Sequence, residues 1–152
     1  MVFRTPEPLN KELVGFDLGS EEFRFLELPD CYLDEAFFFD IKAMGGDICL
    51  TATFRDFSDI VADVWIMKEY GVKESWSKLI SWNQPHYIPS VVVLPLAFSK
   101  SGDKVLFSIA LHKFVWYDLG SKRVENVGIR GLPSSFDVDL YVESLVPLMV
   151  ML

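Results

Sequence analysis

Three similar strings recur along this chain at nearly equal distances. Each joins an apolar run to a more polar segment, and the strings begin at Val14, Val64 and Val115, so their starting points lie 50 and then 51 residues apart. The first and third share the residues Asp-Leu-Gly-Ser, at 17–20 and 118–121. In a chain of 152 residues this period leaves room for about three structural units, and it constrains the fold more than any other feature.

Each unit is a series of short strands separated by turns. Apolar and polar residues alternate over 13–28 around the first turn, and strand-forming residues flank a Gly-Gly-Asp turn at 45–47. A third hairpin is predicted from 61–67 and 76–82, and further strands from 91–98, 104–109, 114–117 and 124–127. Pro95 predicts a sheet edge, a strand start or a bulge in its strand. Signals for helices are weak throughout.

A period near 50 residues with about four strands is the spacing of kelch-type β-propellers, in which each repeat forms one blade. Propellers close with about four to eight blades, so three repeats predict only part of a ring. The predicted fold is therefore all-β, an antiparallel, kelch-like partial β-propeller of about three blade-like repeats. Chance similarity among three hairpins of an all-β protein is the open alternative.

Composition narrows the class of protein further. The chain is 51% hydrophobic and 14% aromatic, which indicates one folded domain over residues 1–152. The net charge of -8 disfavours contact with nucleic acid or an anionic membrane. The longest apolar stretches, 91–98 and 145–152, are too short to span a bilayer as a helix. We expect a protein of the cytoplasm or the nucleus, with no membrane contact.

The residues of catalysis and metal binding are scarce. Only two histidines occur, His86 and His112, and the sequence contains no nucleophile elbow or phosphate-binding glycine loop. The two cysteines, Cys31 and Cys49, allow at most one disulfide, and packing is the favoured role of Cys49. We therefore predict no catalytic residues, no metal and no cofactor, and hence a protein that is not an enzyme.

Two groups of acidic residues are the basis of an alternative hypothesis for the function. Asp56, Asp59 and Asp63 are close in sequence, as are Asp137 and Asp139, but neither group has the spacing of a calcium-binding loop. We interpret them as solvated turn residues. Their use by a small all-β hydrolase or a carbohydrate-binding protein is the competing hypothesis.

One proline-flanked segment is the predicted exposed loop. Residues 83–90 contain two prolines and several turn-forming residues. Trp82, His86 and Tyr87 lie in or beside this segment, and aromatic side chains on a rigid loop commonly anchor protein interfaces. They are the predicted partner-binding residues, and packing back over the sheet edge is the open alternative. Successive aromatic residues at 37–39 require both faces of their strand to be covered.

Five strings resemble the F-box associated domain of plant F-box proteins. They lie at 16–23, 64–79, 95–103, 117–124 and 141–146, and the resemblance runs from about Leu13 to Val146. The tryptophan-bearing string at 64–79 is the most specific of the five. Within the family, the S-locus (S-haplotype-specific) F-box proteins of pollen are the most similar.

This resemblance implies a substrate receptor without catalytic residues. In the family, the F-box docks on the Skp1 adaptor of an SCF ubiquitin ligase, and the associated domain captures the protein to be ubiquitinated. For S-locus members the captured proteins are stylar ribonucleases, which are generally basic and would suit an acidic receptor.

The expected F-box is not visible before Val14. The resemblance therefore implies that residues 1–152 are the carboxy-terminal part of the associated domain, which would bind Skp1 only if an F-box were supplied. An incomplete ring exposes the side of its first blade, and from this we expect self-association or a conformational adjustment.

Overall fold

The computed structural model describes residues 12–30, 36, 38–56, 59–85, 92–110, 112–134 and 138. These residues form ten β-strands and one turn of 3-10 helix at Lys73–Ser75. The strands are β1 Leu13–Asp17, β2 Glu22–Leu26, β3 Phe38–Met44, β4 Asp47–Asp56, β5 Asp59–Met67, β6 Trp76–Pro85, β7 Val93–Phe98, β8 Lys104–Ile109, β9 Lys113–Asp118 and β10 Val124–Val127.

The strands form three antiparallel sheets. Strands β3-β4-β5-β6 make one four-stranded sheet and β7-β8-β9-β10 make a second, and in each the spatial order follows the chain. Strands β1 and β2 form a separate hairpin. This arrangement confirms the predicted all-β, antiparallel, partial propeller-like fold. The described part of the chain contains no helix of membrane-spanning length and hydropathy.

The topology explains the period of about 50 residues. Val64 and Val115 both lie in the third strand of a four-stranded sheet, β5 and β9 respectively. Val14 lies in β1, and the β1–β2 turn has the same Asp-Leu-Gly-Ser sequence as the β9–β10 turn. The hairpin β1–β2 therefore corresponds to the third and fourth strands of a blade. Four strands per repeat is confirmed for two units, whereas the first has two strands within the described residues.

The repeated Asp-Leu-Gly-Ser turns are closed by an aspartate. Asp118 Oδ1 accepts hydrogen bonds from the Ser121 backbone N–H at 2.7 Å and from the Ser121 hydroxyl at 2.8 Å. In the first turn, Asp17 Oδ1 accepts from the backbone N–H groups of Gly19 at 2.7 Å and Ser20 at 3.1 Å. These bonds favour the ionised carboxylates and lower both pKa values. Aspartate thus initiates each turn by bonding to the backbone that follows it.

Replacing the serine of each turn by alanine should affect the pKa of the aspartate differently in the two turns. Ser121→Ala should raise the pKa of Asp118 part of the way to its ordinary value, because the hydroxyl bond is lost and the backbone bonds remain. Ser20→Ala should leave the pKa of Asp17 unchanged, because backbone N–H groups hold it. The stabilisation of each turn is present at neutral pH and is lost as the pH falls through the lowered pKa. Carbon-13 NMR titration of the carboxyl groups measures both, and equal shifts in the two turns would contradict this account.

The middle sheet is covered on both faces. Along β5, Val64 and Ile66 pack toward the second four-stranded sheet, whereas Trp65 and Met67 pack toward the β1–β2 hairpin. This follows from the alternation of side chains along a strand. The core between the two four-stranded sheets includes Met44, Cys49, Ala62, Val64, Ile66, Ile80, Val93, Val105, Phe107, Ile109 and Val115. The core beneath the hairpin includes Leu13, Leu26, Ala36, Leu50, Ala52, Met67 and Trp76.

Two further local predictions concern the phenylalanines at 37–39 and Pro95. Phe38 and Phe39 are both half-buried, as adjacent residues of a strand covered on two faces should be, while Phe37 lies outside the described residues. Pro95 lies in β7, an edge strand of its sheet, and the register shifts between Pro95 and Ala97, so the predicted edge and bulge are confirmed.

The predicted loop at 83–90 lies within the described residues only at 83–85, since residues 86–90 are outside them. Strand β6 continues to Pro85, which pairs with Asp59, so residues 83–85 are strand and the prediction is wrong there. Pairing with the nine residues of β5 outweighs the turn preference of asparagine and proline. Because β6 is at the edge of its sheet, Pro85 is tolerated at the end of the strand.

Candidate functional site

Trp82 is the one predicted partner-binding residue within the described part of the chain. Its ring is half-buried, with its centroid 5.6 Å from that of Phe107 and 5.5 Å from that of Tyr117. It packs against the core between the two four-stranded sheets. The structure therefore gives Trp82 a packing role, and its role in binding stays a prediction. His86 and Tyr87 lie outside the described residues.

Asp63 is not a solvated turn residue, so that prediction is wrong. It is 4% exposed within β5, and its carboxylate accepts hydrogen bonds at 2.6 Å from Lys78 Nζ and at 2.6 Å from the Ser81 hydroxyl. Strand pairing explains the contacts, since Asp63 lies directly opposite Ser81 on β6. A buried carboxylate needs such partners to offset its lost hydration. The side chain is therefore part of the internal structure of the sheet.

The other acidic residues form no metal site in the described chain. Asp56 and Asp59 pair with each other at the adjoining ends of β4 and β5, and Asp56 is exposed. Among the described residues, no group of three histidine, cysteine or acidic side chains is placed to hold a metal ion. Asp137 and Asp139 lie outside the described residues.

The described histidine and cysteine serve local structure. His112 is exposed between β8 and β9, and its Nδ1 is hydrogen-bonded to the backbone carbonyl of Ser134. Cys49 is buried in β4, and burial raises the pKa of its thiol to about 12. A thiol with so high a pKa is neutral at physiological pH and is a poor nucleophile. The predicted packing role of Cys49 is confirmed, and Cys31 and His86 lie outside the described residues.

The hairpin β1–β2 has one buried face and one exposed apolar face. Leu13 and Leu26 pair across the strands and are only 5% and 7% exposed. The opposite face pairs Val14 with Phe25 and Phe16 with Phe23. We call Val14, Phe16, Phe23 and Phe25 the hairpin aromatic face.

This hairpin aromatic face is open to solvent. Phe23 is 67% exposed and Phe25 is 72% exposed, and the ring centroids of Phe16 and Phe23 lie 4.8 Å apart. Alternation of Phe23 and Phe25 with the polar Arg24 predicts a half-buried hairpin whose phenylalanine face is covered, and this prediction is wrong, because Phe23 and Phe25 are exposed. The structure buries the leucine pair, so the phenylalanines are the candidate functional residues that sequence reasoning missed.

An apolar groove of about 610 Å³ lies beside this hairpin. Residues 13–16 of β1 line it together with Ile41 and Ile48 of the middle sheet and Tyr70 of the β5–β6 connection. Gly15 allows the close approach of Tyr70, because a Cβ atom at this position would lie 2.5 Å from the tyrosine hydroxyl oxygen. The groove and the hairpin aromatic face share Val14, Phe16 and Phe23, so together they form one continuous candidate surface for a protein partner.

Comparison with known proteins gives the relationship of the chain. It is 36% identical over 137 residues to F-box protein CPR1 of Arabidopsis thaliana, covering 88% of this chain and 32% of CPR1. The chain is a homologue of plant F-box proteins. A second such homologue, F-box protein At4g22390 of the same plant, is 34% identical over 137 residues, covering 88% of this chain and 33% of that protein. The chain thus spans about a third of the length of these curated relatives.

A third relative bears on the fold of this F-box homologue. The F-box/kelch-repeat protein At3g23880 of Arabidopsis thaliana is 32% identical over 69 residues, covering 45% of the chain and 18% of that protein. Its kelch designation fits the propeller-like arrangement of four-stranded sheets. No protein-family model matches the sequence, and no solved structure gives a significant match.

Proposed function

We propose that residues 1–152 are the carboxy-terminal part of an F-box associated domain and that they bind the protein substrate of an SCF-type ubiquitin ligase. The homology to F-box proteins over 88% of the chain is the observation that carries this proposal. In this role the chain is a protein-interaction module that brings a target to the ligase and makes or breaks no bond itself.

The described surface supports this role. Stable protein interfaces are centred on well-packed aromatic anchors surrounded by polar residues. Phe16, Phe23 and Phe25 supply aromatic side chains on one face of one hairpin, and a groove adjoins them. The competing hydrolase or sugar-binding function has no comparable support, because the carboxylate of Asp63 is buried against Lys78 and Ser81.

Two finer parts of the proposal concern partners. The Skp1 adaptor would be bound through an F-box and not through these β-sheets. The captured protein would be of the stylar ribonuclease type if the chain acts as S-locus F-box proteins do in pollen self-incompatibility, and a basic ribonuclease would be attracted by the net charge of -8. Cytoplasm or nucleus is the compartment in which such a ligase would work.

Affinity capture followed by quantitative binding tests the proposal. The tagged chain is incubated with plant extract prepared under proteasome inhibition, and each captured protein is then purified and titrated by calorimetry. We expect at least one protein to bind with a dissociation constant of about 10 μM or lower and to become ubiquitinated when SCF components are added to a receptor that contains the chain. A purified basic ribonuclease tests the narrower partner class directly.

A screen of calcium and oligosaccharides tests the competing hypothesis. Calcium or an oligosaccharide that raises the melting temperature, with no protein binding in calorimetry, would contradict the proposal and favour the acidic-loop hypothesis. Trp82→Phe is the suitable variant for the predicted loop site, because it keeps an aromatic ring against Phe107 and Tyr117. Tyr87→Ala completes the comparison, and unchanged affinity in both variants would remove these residues from the binding surface.

A further inference from the structure

A pocket with two tryptophans lies between the segment that follows β2 and the strands β5 and β6 of the middle sheet. Its volume is about 310 Å³, and it is lined by Pro29, Asp30, Trp65, Lys73, Glu74 and Trp76. We propose that this pocket binds the guanidinium group of an arginine side chain that a protein partner presents. The inference rests on the proposed function, because it names one contact through which the module holds the captured protein.

The pocket is separate from the open edge of the first hairpin. Since β1 and β2 correspond to the third and fourth strands of a blade, the first two strands of that blade would adjoin β1. The pocket instead adjoins residues 29–30, which follow β2, together with β5 and β6, the third and fourth strands of the next blade. The strands that would complete the first blade therefore belong on the other side of the hairpin.

Two indole rings supply the aromatic part of the pocket. Trp76 is 8% exposed, and its Nε1 donates a hydrogen bond of 2.9 Å to the backbone carbonyl of Glu27. Trp65 is half-buried, and the Lys78 ammonium, which is paired with Asp63, lies 5.0 Å from the centroid of its ring. Tryptophan is the best aromatic partner for a cation, and a planar guanidinium stacks on aromatic faces. The rings therefore suit an arginine side chain.

Carboxylates outnumber ammonium groups around Lys73, which lines the pocket. Lys73 Nζ lies 2.8 Å from Asp30 Oδ1. This hydrogen bond and the charge of Asp30, followed by the charges of Glu27 and Glu74, raise the pKa of Lys73. Three carboxylates against one ammonium give these four groups a net charge of -2. A second cation is therefore attracted to this place.

The geometry favours arginine over lysine. The Asp30 side chain is 89% exposed, so its carboxylate has room for bonds beyond the one to Lys73. A guanidinium binds a carboxylate through two parallel N–H bonds and stacks on a ring at the same time, whereas an ammonium is a strongly hydrated point charge. Ligand pockets usually hold about 300–1,000 Å³, so a pocket at the lower end of this range suits one side chain.

The test titrates N-acetyl-arginine methylamide into the whole nitrogen-15-labelled chain and follows the indole N–H signals by NMR. Trp65→Phe and Trp76→Phe assign the two pocket signals by their loss, and Trp82 and Trp116, which do not line the pocket, are internal references. We expect the two pocket signals to shift with a dissociation constant of about 1–10 mM. N-acetyl-citrulline methylamide, the neutral isostere, should bind about 10-fold more weakly, and the lysine derivative about threefold more weakly.

Variants of the charged residues should have effects of opposite sign. Asp30→Asn combined with Glu74→Gln should weaken arginine binding about 10-fold, because both lining carboxylates are lost. Lys73→Met should strengthen it about threefold, because the competing cation is removed. Lys68→Met is the matched control. It removes a cation of the same β5–β6 connection whose partner Asp47 lies outside the pocket, and it should change the affinity less than about twofold.

Several outcomes would overturn the inference. Citrulline binding as tight as that of arginine, or equal shifts at Trp82 and Trp116, would exclude a cation-selective pocket. Weaker binding in Lys73→Met would contradict the role of the carboxylates. A purified captured protein that binds the Asp30→Asn, Glu74→Gln variant as tightly as the natural chain would sink this inference while the proposed function stands. Arginine binding in the pocket without any captured protein would do the reverse.

Discussion

Replacing Phe107 by alanine is expected to lower the free energy of unfolding by about 3–5 kcal/mol. Phe107 is 0% exposed in β8, and its ring lies against Trp82 and Tyr117 in the core between the two four-stranded sheets. The truncation removes buried apolar surface and leaves a cavity that strands on both sides hold open. Since small domains are stable by about 5–15 kcal/mol, the loss is a large fraction of the total. Urea denaturation monitored by tryptophan fluorescence measures it.

Phe25→Ala is the matched control for this substitution. The same side chain is removed, but Phe25 is 72% exposed on the hairpin aromatic face, so we expect a change within about 0.5 kcal/mol. The contrast between these two phenylalanines tests whether the sheets pack as described. Similar losses from both variants would mean that the hairpin aromatic face is covered in the folded protein.

Replacing Asp63 by alanine is expected to lower the free energy of unfolding by about 1–3 kcal/mol. The substitution leaves the Ser81 hydroxyl and the Lys78 ammonium without their shared acceptor. The loss stays below that of a fully buried ion pair, because the Lys78 side chain is 43% exposed and can be rehydrated. Thermal unfolding of Asp63→Ala and Asp63→Asn measures the effect, and the asparagine variant should recover part of the stability.

A surface ion pair provides the control for Asp63. Lys68 Nζ lies 2.7 Å from Asp47 Oδ2, but these side chains are 59% and 25% exposed, so Asp47→Ala should change stability by less than about 1 kcal/mol. The sign of the Asp63 result also separates the two functional hypotheses. Removing a structural carboxylate destabilises the fold, whereas removing a carboxylate that is held for catalysis often stabilises it. A gain in stability from Asp63→Ala would therefore favour the hydrolase hypothesis.

Local chemistry made the strand pattern predictable from the sequence. The Asp-Leu-Gly-Ser turns, the Gly-Gly-Asp turn and the bulge at Pro95 depend on interactions between residues a few positions apart, and the structure forms all three. The period of about 50 residues was also informative, because it places Val64 and Val115 in equivalent third strands.

Other features depend on contacts between residues far apart in the sequence, and these could not be predicted. Asp63 looked like a turn residue because its partners Lys78 and Ser81 lie 15 and 18 positions away on a neighbouring strand. Trp82 resembled an interface residue for the same reason, since Phe107 belongs to the next sheet. In the hairpin, alternation defined two faces, but only packing against the middle sheet determines that the leucines are buried.

The proposed function requires that this β-repeat module bind a protein through its surface. Hydrogen–deuterium exchange of the chain, alone and bound to a purified captured protein, measures this most directly. On the proposed function, exchange should slow in a surface segment of the described chain, with little change in the buried strands β4, β5 and β8. If no protein slowed exchange at any surface segment, while calcium or an oligosaccharide slowed it across residues 56–63, the proposed function would be contradicted.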